Sequence, residues 1–526
     1  MGVGAHQGHR RIRDSEQGRL TRGNSRSAKQ LGSQAALFLL GNVFTLVVGL
    51  PLQVYLARVL GSDGIGAFSL IEGSVSLIAG LIAFGQAPAL VKFIPFHLER
   101  AEYACIRTLL RDGARILLVA GCVTYVIVVA VYPVFVKHWP AVAPYRAEMS
   151  VMAALIPLSL ISFYLQQGLR GFQEIRYIVI GSSFLQLTVK AVLAVVLLTA
   201  GLHLIGYIWA VVLSVAIAAA WMALGLRRKV TEMPADACQH CETDHRSAWR
   251  TYARVMYSGS LLGVGGTYID RFLLGALAGV QPVGVLAVVK QIQQMPVIFQ
   301  QMFLSVAAPM FSAAHARGAP SEMQHIYHLT TDWVVRLSMP LFIFAFIFAA
   351  PLLRLFGPQF AAEGTIPLQV LLASQLVNLA FGPVGSVMYM SGMERRAVAI
   401  SVYQMVVSVL ALCVLIPAFG LVGASFAMCV SILFVNVFEF VVARKQIGLR
   451  WSDGRYLRWI VPTLASLAAA LIVRWAGPAE VGAVLLAAYL GCLYAIYHGI
   501  SLIRGLHDDD RVLLRHFRDK FAGLRT

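Results

Sequence analysis

Charge is what this chain has little of. Only 13% of its 526 residues are Asp, Glu, Lys or Arg, against 58% that are hydrophobic, and the mean hydropathy is +0.73. Soluble domains carry about 25% charged residues, so a water-soluble fold is excluded and a polytopic membrane protein is indicated. Acidic residues are scarcer than basic ones, 25 against 43, which leaves a formal charge of +18. The basic excess forms no nucleic-acid patch. It sits in the short connections between apolar runs, as the positive-inside rule requires, so no nucleic-acid partner is expected. Cysteines number seven. Cys122, Cys413, Cys429 and Cys492 fall inside apolar runs; Cys105, Cys238 and Cys241 fall in or beside connections on the basic side, so a structural disulfide is not expected. No nucleophile elbow, P-loop or zinc-protease helix is present, and no outside loop is large enough to carry paired catalytic carboxylates. His138, His203 and His498 stand singly. The chain is therefore expected to be no enzyme, to hydrolyse no ATP and to need no cofactor.

What is present is a succession of apolar segments, each long enough to span a bilayer. They run over about 31–60, 66–96, 114–136, 150–167, 178–199 and 204–226. After a polar loop come about 252–278, 283–312, 333–355, 366–390, 398–419, 422–442, 457–473 and 481–503. The expectation is an all-α fold of about fourteen transmembrane helices. Arg100, Arg107, Arg111, Arg170, Arg176, Arg227, Arg228, Lys229, Arg395, Arg396, Arg444 and Lys445 fall on one side, with the basic stretches at both ends of the chain. Both termini are thus expected to be cytoplasmic. Residues 1–30 have almost nothing to bury and read as a disordered basic tail. They are followed by no cleavage site of the secretory kind.

The chain repeats itself. Ser183-x-x-Gln186-x-x-x-Lys190 matches Ser401-x-x-Gln404-x-x-x-Ser408 at a constant offset of 218. Arg170-Gly171-Phe172-Gln173-Glu174 resembles Ser391-Gly392-Met393-Glu394, and Tyr55-x-x-Arg58 resembles Tyr268-x-x-Arg271. Two six-helix bundles follow, at 31–226 and 252–445, in the same orientation because six is even. The linker 227–251 joins them, an extra helix pair lies at 446–503, and a cytoplasmic tail occupies 504–526. The linker carries Cys238-Gln239-His240-Cys241 and His245. One Cys-x-x-Cys without a second pair does not complete a structural zinc site, so these are read as incidental thiols and no metal is expected.

The stretch from Tyr268 to Gln301 organises the rest. It reads as a helix end, a tight outside turn at 279–282 and a second helix carrying Lys290, Gln293, Gln294, Gln300 and Gln301. At about 100° per residue these five fall within an arc of roughly 120°. A polar stripe in lipid is costly, about 2.5–3.5 kcal/mol for a central charge, unless it faces protein or a wet cavity. Polar contacts between packed helices would account for one or two of these residues. Five including a lysine favour a cavity. Lys190, with Gln186 on the same face, and Lys290 are its expected cations. Arg58, Arg271 and Lys92 lie nearer helix ends, where snorkelling competes with ligand contact. Together they give a positive interior suited to an anionic group such as a pyrophosphate. Asp270, Glu72 and Glu439 are candidates for binding a coupling proton or sodium ion; the competing reading is a salt bridge to a nearby cation. Asp332 and Arg336 read as a local i, i+4 pair.

Three segments carry a family likeness: Leu56-Ala-Arg58-Val-Leu-Gly61-Ser-Asp-Gly64-Ile-Gly66-Ala-Phe-Ser, Asp270-Arg-Phe-Leu-Leu-Gly275, and the loops at Gly171 and Gly392. Over about 31–503 the chain resembles the polysaccharide-synthesis transporters of the multidrug/oligosaccharidyl-lipid/polysaccharide (MOP) exporter superfamily, the group that includes the O-antigen flippases. Phe68 departs from a tyrosine seen in many members. The resemblance implies translocation of undecaprenyl-pyrophosphate-linked oligosaccharide repeat units across the bacterial inner membrane, by alternating access, for O-antigen, capsule or exopolysaccharide. It further implies a lipid-linked oligosaccharide and membrane lipid as partners, with a polysaccharide polymerase and a chain-length regulator as candidate protein partners. A drug exporter of the same superfamily, whose cavity should be dominated by acids and aromatics, a lipid II flippase, and an integral-membrane glycan polymerase or ligase are the alternatives.

Overall fold

The computed structural model describes residues 4–83, 85–138, 144–234, 243–451, 457–478 and 481–503. Among these there is helix and no strand. In chain order the helices are α1 (Gly4–Ile82), α2 (Gln86–Glu99), α3 (Tyr103–His138), α4 (Arg146–Met152), α5 (Leu155–Gly171), α6 (Ile175–Val179), α7 (Gln186–Thr199), α8 (His203–Thr231) and α9 (Thr243–Ala278). Then come α10 (Val280–Gln294), α11 (Val297–Ala316), α12 (Pro320–Ile347), α13 (Ala349–Arg354), α14 (Pro358–Phe381), α15 (Val384–Met390), α16 (Glu394–Ile447), α17 (Leu457–Ala476) and α18 (Ala483–Ile503).

Ten of the described helices are long and apolar enough to cross a membrane, or eleven if the bent pair α10–α11 counts as one span. Two of the ten are double. The α1 helix turns at Gly61 (φ 67°) and α16 turns at Gly420 (φ 56°), left-handed values that a side chain resists. The fourteen spans expected exceed the count, and α9 is not among the ten. Helix also runs through residues 4–30, where the composition predicts disorder. That stretch has no proline and several good helix formers, so local propensity allows helix although there is nothing to bury.

The chain divides into two compact units. The first comprises 1–59 and 71–265, the second 60–70 and 266–526. In the first unit α5 packs against α2, α3 and α8. Tyr164 of α5 is fully buried and its hydroxyl donates to the Leu109 carbonyl at 2.9 Å. The turn after α2 closes with two hydrogen bonds, from the Ala101 N–H to Leu98 O at 3.1 Å and from the Glu102 N–H to His97 O at 2.9 Å. This is a Schellman closure with Ala101 in the left-handed region (φ 56°), where glycine is usual.

In the second unit the 62–70 segment lies on α10 at backbone distance. A Cβ on Gly284 would come within 1.9 Å of the Ser62 carbonyl, and one on Gly66 within 2.1 Å of the Val280 carbonyl. Gly66 belongs to the segment that carries the family likeness, and close helix crossing is its physical role. The extra pair α17–α18 packs on α12. Trp459 of α17 donates from its indole to Asp332 Oδ1 at 2.8 Å, and Arg336 bonds Asp332 Oδ2 at 3.1 Å, so the local i, i+4 pair is present and doubles as an anchor for α17.

One expectation fails outright. Cys105, at the start of α3, is disulfide-bonded. Cys122, Cys413, Cys429 and Cys492 are free; Cys238, His240 and Cys241, and the side chain of His245, lie outside the described residues. The reading from sequence treated the thiols as scattered, but Arg107, two residues on, donates to the carbonyls of Met233 (3.1 Å) and Pro234 (2.8 Å) and so holds the start of the linker against this turn.

Candidate functional site

Asp270 and Lys290 face each other across the α9–α10 hairpin, which turns at Gly279 (φ 91°). Lys290 Nζ donates to Asp270 Oδ2 at 2.6 Å. The aspartate is 5% exposed, and its Oδ1 is buried with no hydrogen-bond partner among the described residues. A buried carboxylate needs a counter-charge, since an isolated buried ion costs several kcal/mol. The competing reading, a salt bridge, is therefore what the structure places here. Arg271 lies 5.5 Å from the centroid of the Tyr268 ring, one turn back.

The polar stripe expected beyond Lys290 is broken. The α10 and α11 helices meet at Met295–Pro296 with a bend of 51°. Pro296 has no N–H to donate, and its ring crowds the preceding turn, which kinks or breaks a helix. The single-helix arc drawn from sequence is corrected accordingly: Gln300 and Gln301 sit on a different axis from Lys290. Gln293, one turn from Lys290, is 2% exposed with a buried, unpartnered Oε1. Gln294 and Gln301 are exposed.

In the first unit Lys190 and Gln186 lie on α7, both half-buried. Glu72 is the carboxylate that acts electrostatically on Lys190 and also on the buried hydroxyl of Tyr207. No ion pair to Lys190 is made among the described residues. A turn of π-helix, Ile180–Leu185, feeds straight into α7. Ser183 lies inside this turn, where bonding is the wider i→i+5 kind. Lys92 is exposed, and its ammonium lies over the Tyr252 ring at 4.3 Å and the Phe93 ring at 5.5 Å. Arg58 is exposed.

Glu439 of α16 is half-buried, and its carboxylate lies 2.9 Å from where a Cβ on Gly385 would stand. It makes no ion pair among the described residues. Of the three acidic candidates, Asp270 is bonded to a cation, Glu72 is near one and Glu439 is near none. The candidate residues thus form separate groups. Arg58, Glu72, Lys92, Gln186 and Lys190 belong to the first unit; Asp270, Arg271, Lys290, Gln293, Gln294, Gln301 and Glu439 belong to the second. The π turn and the Tyr207 partner were not found from sequence. The first leaves only an extra residue in the repeat; the second sits in an apolar run with no polar neighbour to mark it.

These features define an all-helical, multi-pass membrane protein. Solved structures with a similar fold include an inward-facing multidrug resistance MATE family transporter of the MOP superfamily (TM-score 0.62, 14% identity, covering 77% of this chain and 94% of that one). A MOP superfamily transporter from Pyrococcus furiosus is similar with a TM-score of 0.58 at 14% identity, over 78% and 94% of the two chains. The lipid II flippase MurJ in an inward closed conformation is similar with a TM-score of 0.63 at 9% identity, over 88% and 98%. No curated protein sequence matches the chain. Residues 31–315 match the family described as polysaccharide biosynthesis protein. The chain belongs to that family.

Proposed function

We propose that the protein is a flippase that moves undecaprenyl-pyrophosphate-linked oligosaccharide repeat units from the cytoplasmic to the periplasmic leaflet of the bacterial inner membrane. It would work by alternating access, with both termini in the cytoplasm, in the assembly of O-antigen, capsule or exopolysaccharide. The family match over 31–315 carries this reading. The cation excess supports it, because a glycan pyrophosphate brings negative charge that lysine and arginine recognise. Lys190 is the cation best suited to that contact, having no ion pair of its own. Lys290 engages the substrate only when its bond to Asp270 is exchanged for one to the pyrophosphate. Glu439 and Asp270 are the preferred sites for a coupling proton or cation, with Glu72 tuning Lys190. A polymerase and a chain-length regulator remain candidate partners.

A lipid II flippase is the second reading, favoured by the 88% coverage of this chain in the MurJ comparison. Both substrates join a polyprenyl pyrophosphate to a glycan, so the discriminating test is genetic. Expression in a strain lacking its polysaccharide flippase is expected to restore surface polysaccharide. Rescue of a strain depleted of its lipid II flippase, with no restoration of polysaccharide, would replace the first reading by the second.

A further inference from the structure

We propose that the second unit binds anionic phospholipid headgroups where α16 begins and ends. Arg395 and Arg396 stand in the first turn of α16, Arg444 and Lys445 in its last turn, and Arg450 just beyond it. All five are exposed, and none makes an ion pair or a side-chain hydrogen bond among the described residues.

The fold brings the two ends of α16 together. Ala397 and Ala443, the neighbours of Arg396 and Arg444, are both fully buried in one apolar cluster that also holds Leu449. The five cations therefore rim a single core. Helix electrostatics explains only part of the set. Arg444 and Lys445 suit a helix C-terminus, but Arg395 and Arg396 stand at an N-terminus, where the dipole favours acids. Glu394 is the one acid of that turn.

What lies next to the cations identifies the partner. Within two turns inward, α16 exposes Val398 and Val402 on one leg and Phe438 and Val441 on the other, each 37–49% exposed. Apolar side chains left bare on a membrane-spanning helix face acyl chains, so the cations stand at headgroup depth. Trp451 is half exposed, and its indole N–H donates to the Ala380 carbonyl at 3.0 Å. Tryptophan concentrates at the level where headgroups meet hydrocarbon. Between Trp451 and the buried Leu449, the Arg450 backbone is clamped by Gln324. The Arg450 N–H donates to Gln324 Oε1, and Gln324 Nε2 donates to the Arg450 carbonyl, both at 2.8 Å. The Arg450 side chain is thus presented from a fixed backbone. Arginine meets a phosphate through paired N–H donors and lysine as a point charge. Each such cation beside a span contributes about fivefold in affinity for an anionic membrane surface. The face is cytoplasmic on the orientation proposed above, but lipid binding is read without reference to what the protein transports.

The test uses full-length protein, stripped of lipid in an uncharged detergent and titrated with phosphatidylglycerol or phosphatidylcholine, the thermal midpoint being followed. Phosphatidylglycerol is expected to raise the midpoint saturably, and phosphatidylcholine at the same concentration to leave it unchanged. The half-saturating concentration should rise about fivefold in Arg450→Gln, and about 25-fold in Arg395→Gln/Arg396→Gln and in Arg444→Gln/Lys445→Gln. Added salt should weaken the response, because these charges are exposed. Arg317→Gln should leave it unchanged, since that guanidinium already bonds Glu322 Oε1 at 2.7 Å. Equal responses of the wild type to the two lipids, or an unaltered half-saturation in the variant lacking all five cations, would overturn the proposal. Competition by inorganic pyrophosphate at matched ionic strength would assign the cations to a soluble polyphosphate and overturn it as well.

Discussion

The two halves of the chain solve the same local problem differently. Before the fifth helix of the first half, the turn passes through Gln173 in a left-handed conformation (φ 59°); before the matching helix of the second half it passes through Gly392 (φ 74°). Both close the same way, with Glu174 N–H bonding Leu169 O and Met393 N–H bonding Met388 O. Thirteen residues then separate Gln173 from Gln186, but twelve separate Gly392 from Gln404. The extra residue in the first half is taken up by the π turn at Ile180–Leu185, while α16 is α-helical there. The charged side chains differ in the same sense. Lys190 follows the π turn and has no ion pair, its counterpart Ser408 is neutral, and the cation of the second half, Lys290, is bonded to Asp270. The repeat supplies two similar frames, and one carries an uncommitted cation while the other carries a neutralised one.

Deleting a residue is the most severe way to break this comparison. Removing Ser182 should turn the π turn into an ordinary α turn and leave a folded protein, within about 1 kcal/mol of wild type, because a π turn is an absorbed insertion. Removing Val402 from the equivalent α-helical stretch should rotate everything downstream by about 100° and abolish accumulation in the membrane. Equal accumulation of the two deletion variants would refute the assignment of the extra residue.

The charge contrast gives the next effect. Lys290→Ala leaves Asp270 buried and unpaired, and should cost about 3 kcal/mol of stability, the lower end of the range for breaking a buried pair because Lys290 keeps some exposure. Lys290→Ala/Asp270→Asn should recover most of that loss. Thermal unfolding in detergent reads both variants; a double variant as unstable as the single one would mean the pair is incidental.

The turn contrast is smaller. Gly392→Ala places a side chain at φ 74° and should destabilise by about 1–2 kcal/mol. Gln173→Gly should change stability by less than about 0.5 kcal/mol, since relief of the left-handed conformation is offset by greater chain entropy in the unfolded state. Equal shifts in the two thermal midpoints would show that the turns are not equivalent.

The class of fold was legible because apolar length is decided by local composition: the spans His203–Thr231 and Pro358–Phe381 overlap the apolar runs 204–226 and 366–390. The expected repeat rests on Gln186 and Gln404, where the offset is constant. The pairing of Gly171 with Gly392 was not right. Gly171 is placed for close packing, a Cβ there falling 2.9 Å from Ile94, whereas Gln173 takes the left-handed position. Glycine marks either role in a sequence and does not say which. The stripe from Lys290 to Gln301 failed for a reason that was in plain view, since Pro296 interrupts it. The Lys290–Asp270 bond was open as an alternative but undecided, because partners on two helices cannot be paired by periodicity within one.

The account stands most directly on Lys190. Measured as restoration of surface polysaccharide in a flippase-null strain, with membrane abundance quantified alongside, Lys190→Ala is predicted to lower export at least about tenfold at wild-type abundance. Lys190→Arg should restore part of it, as a cation that still meets a pyrophosphate. Full export by Lys190→Ala at equal abundance would contradict the account.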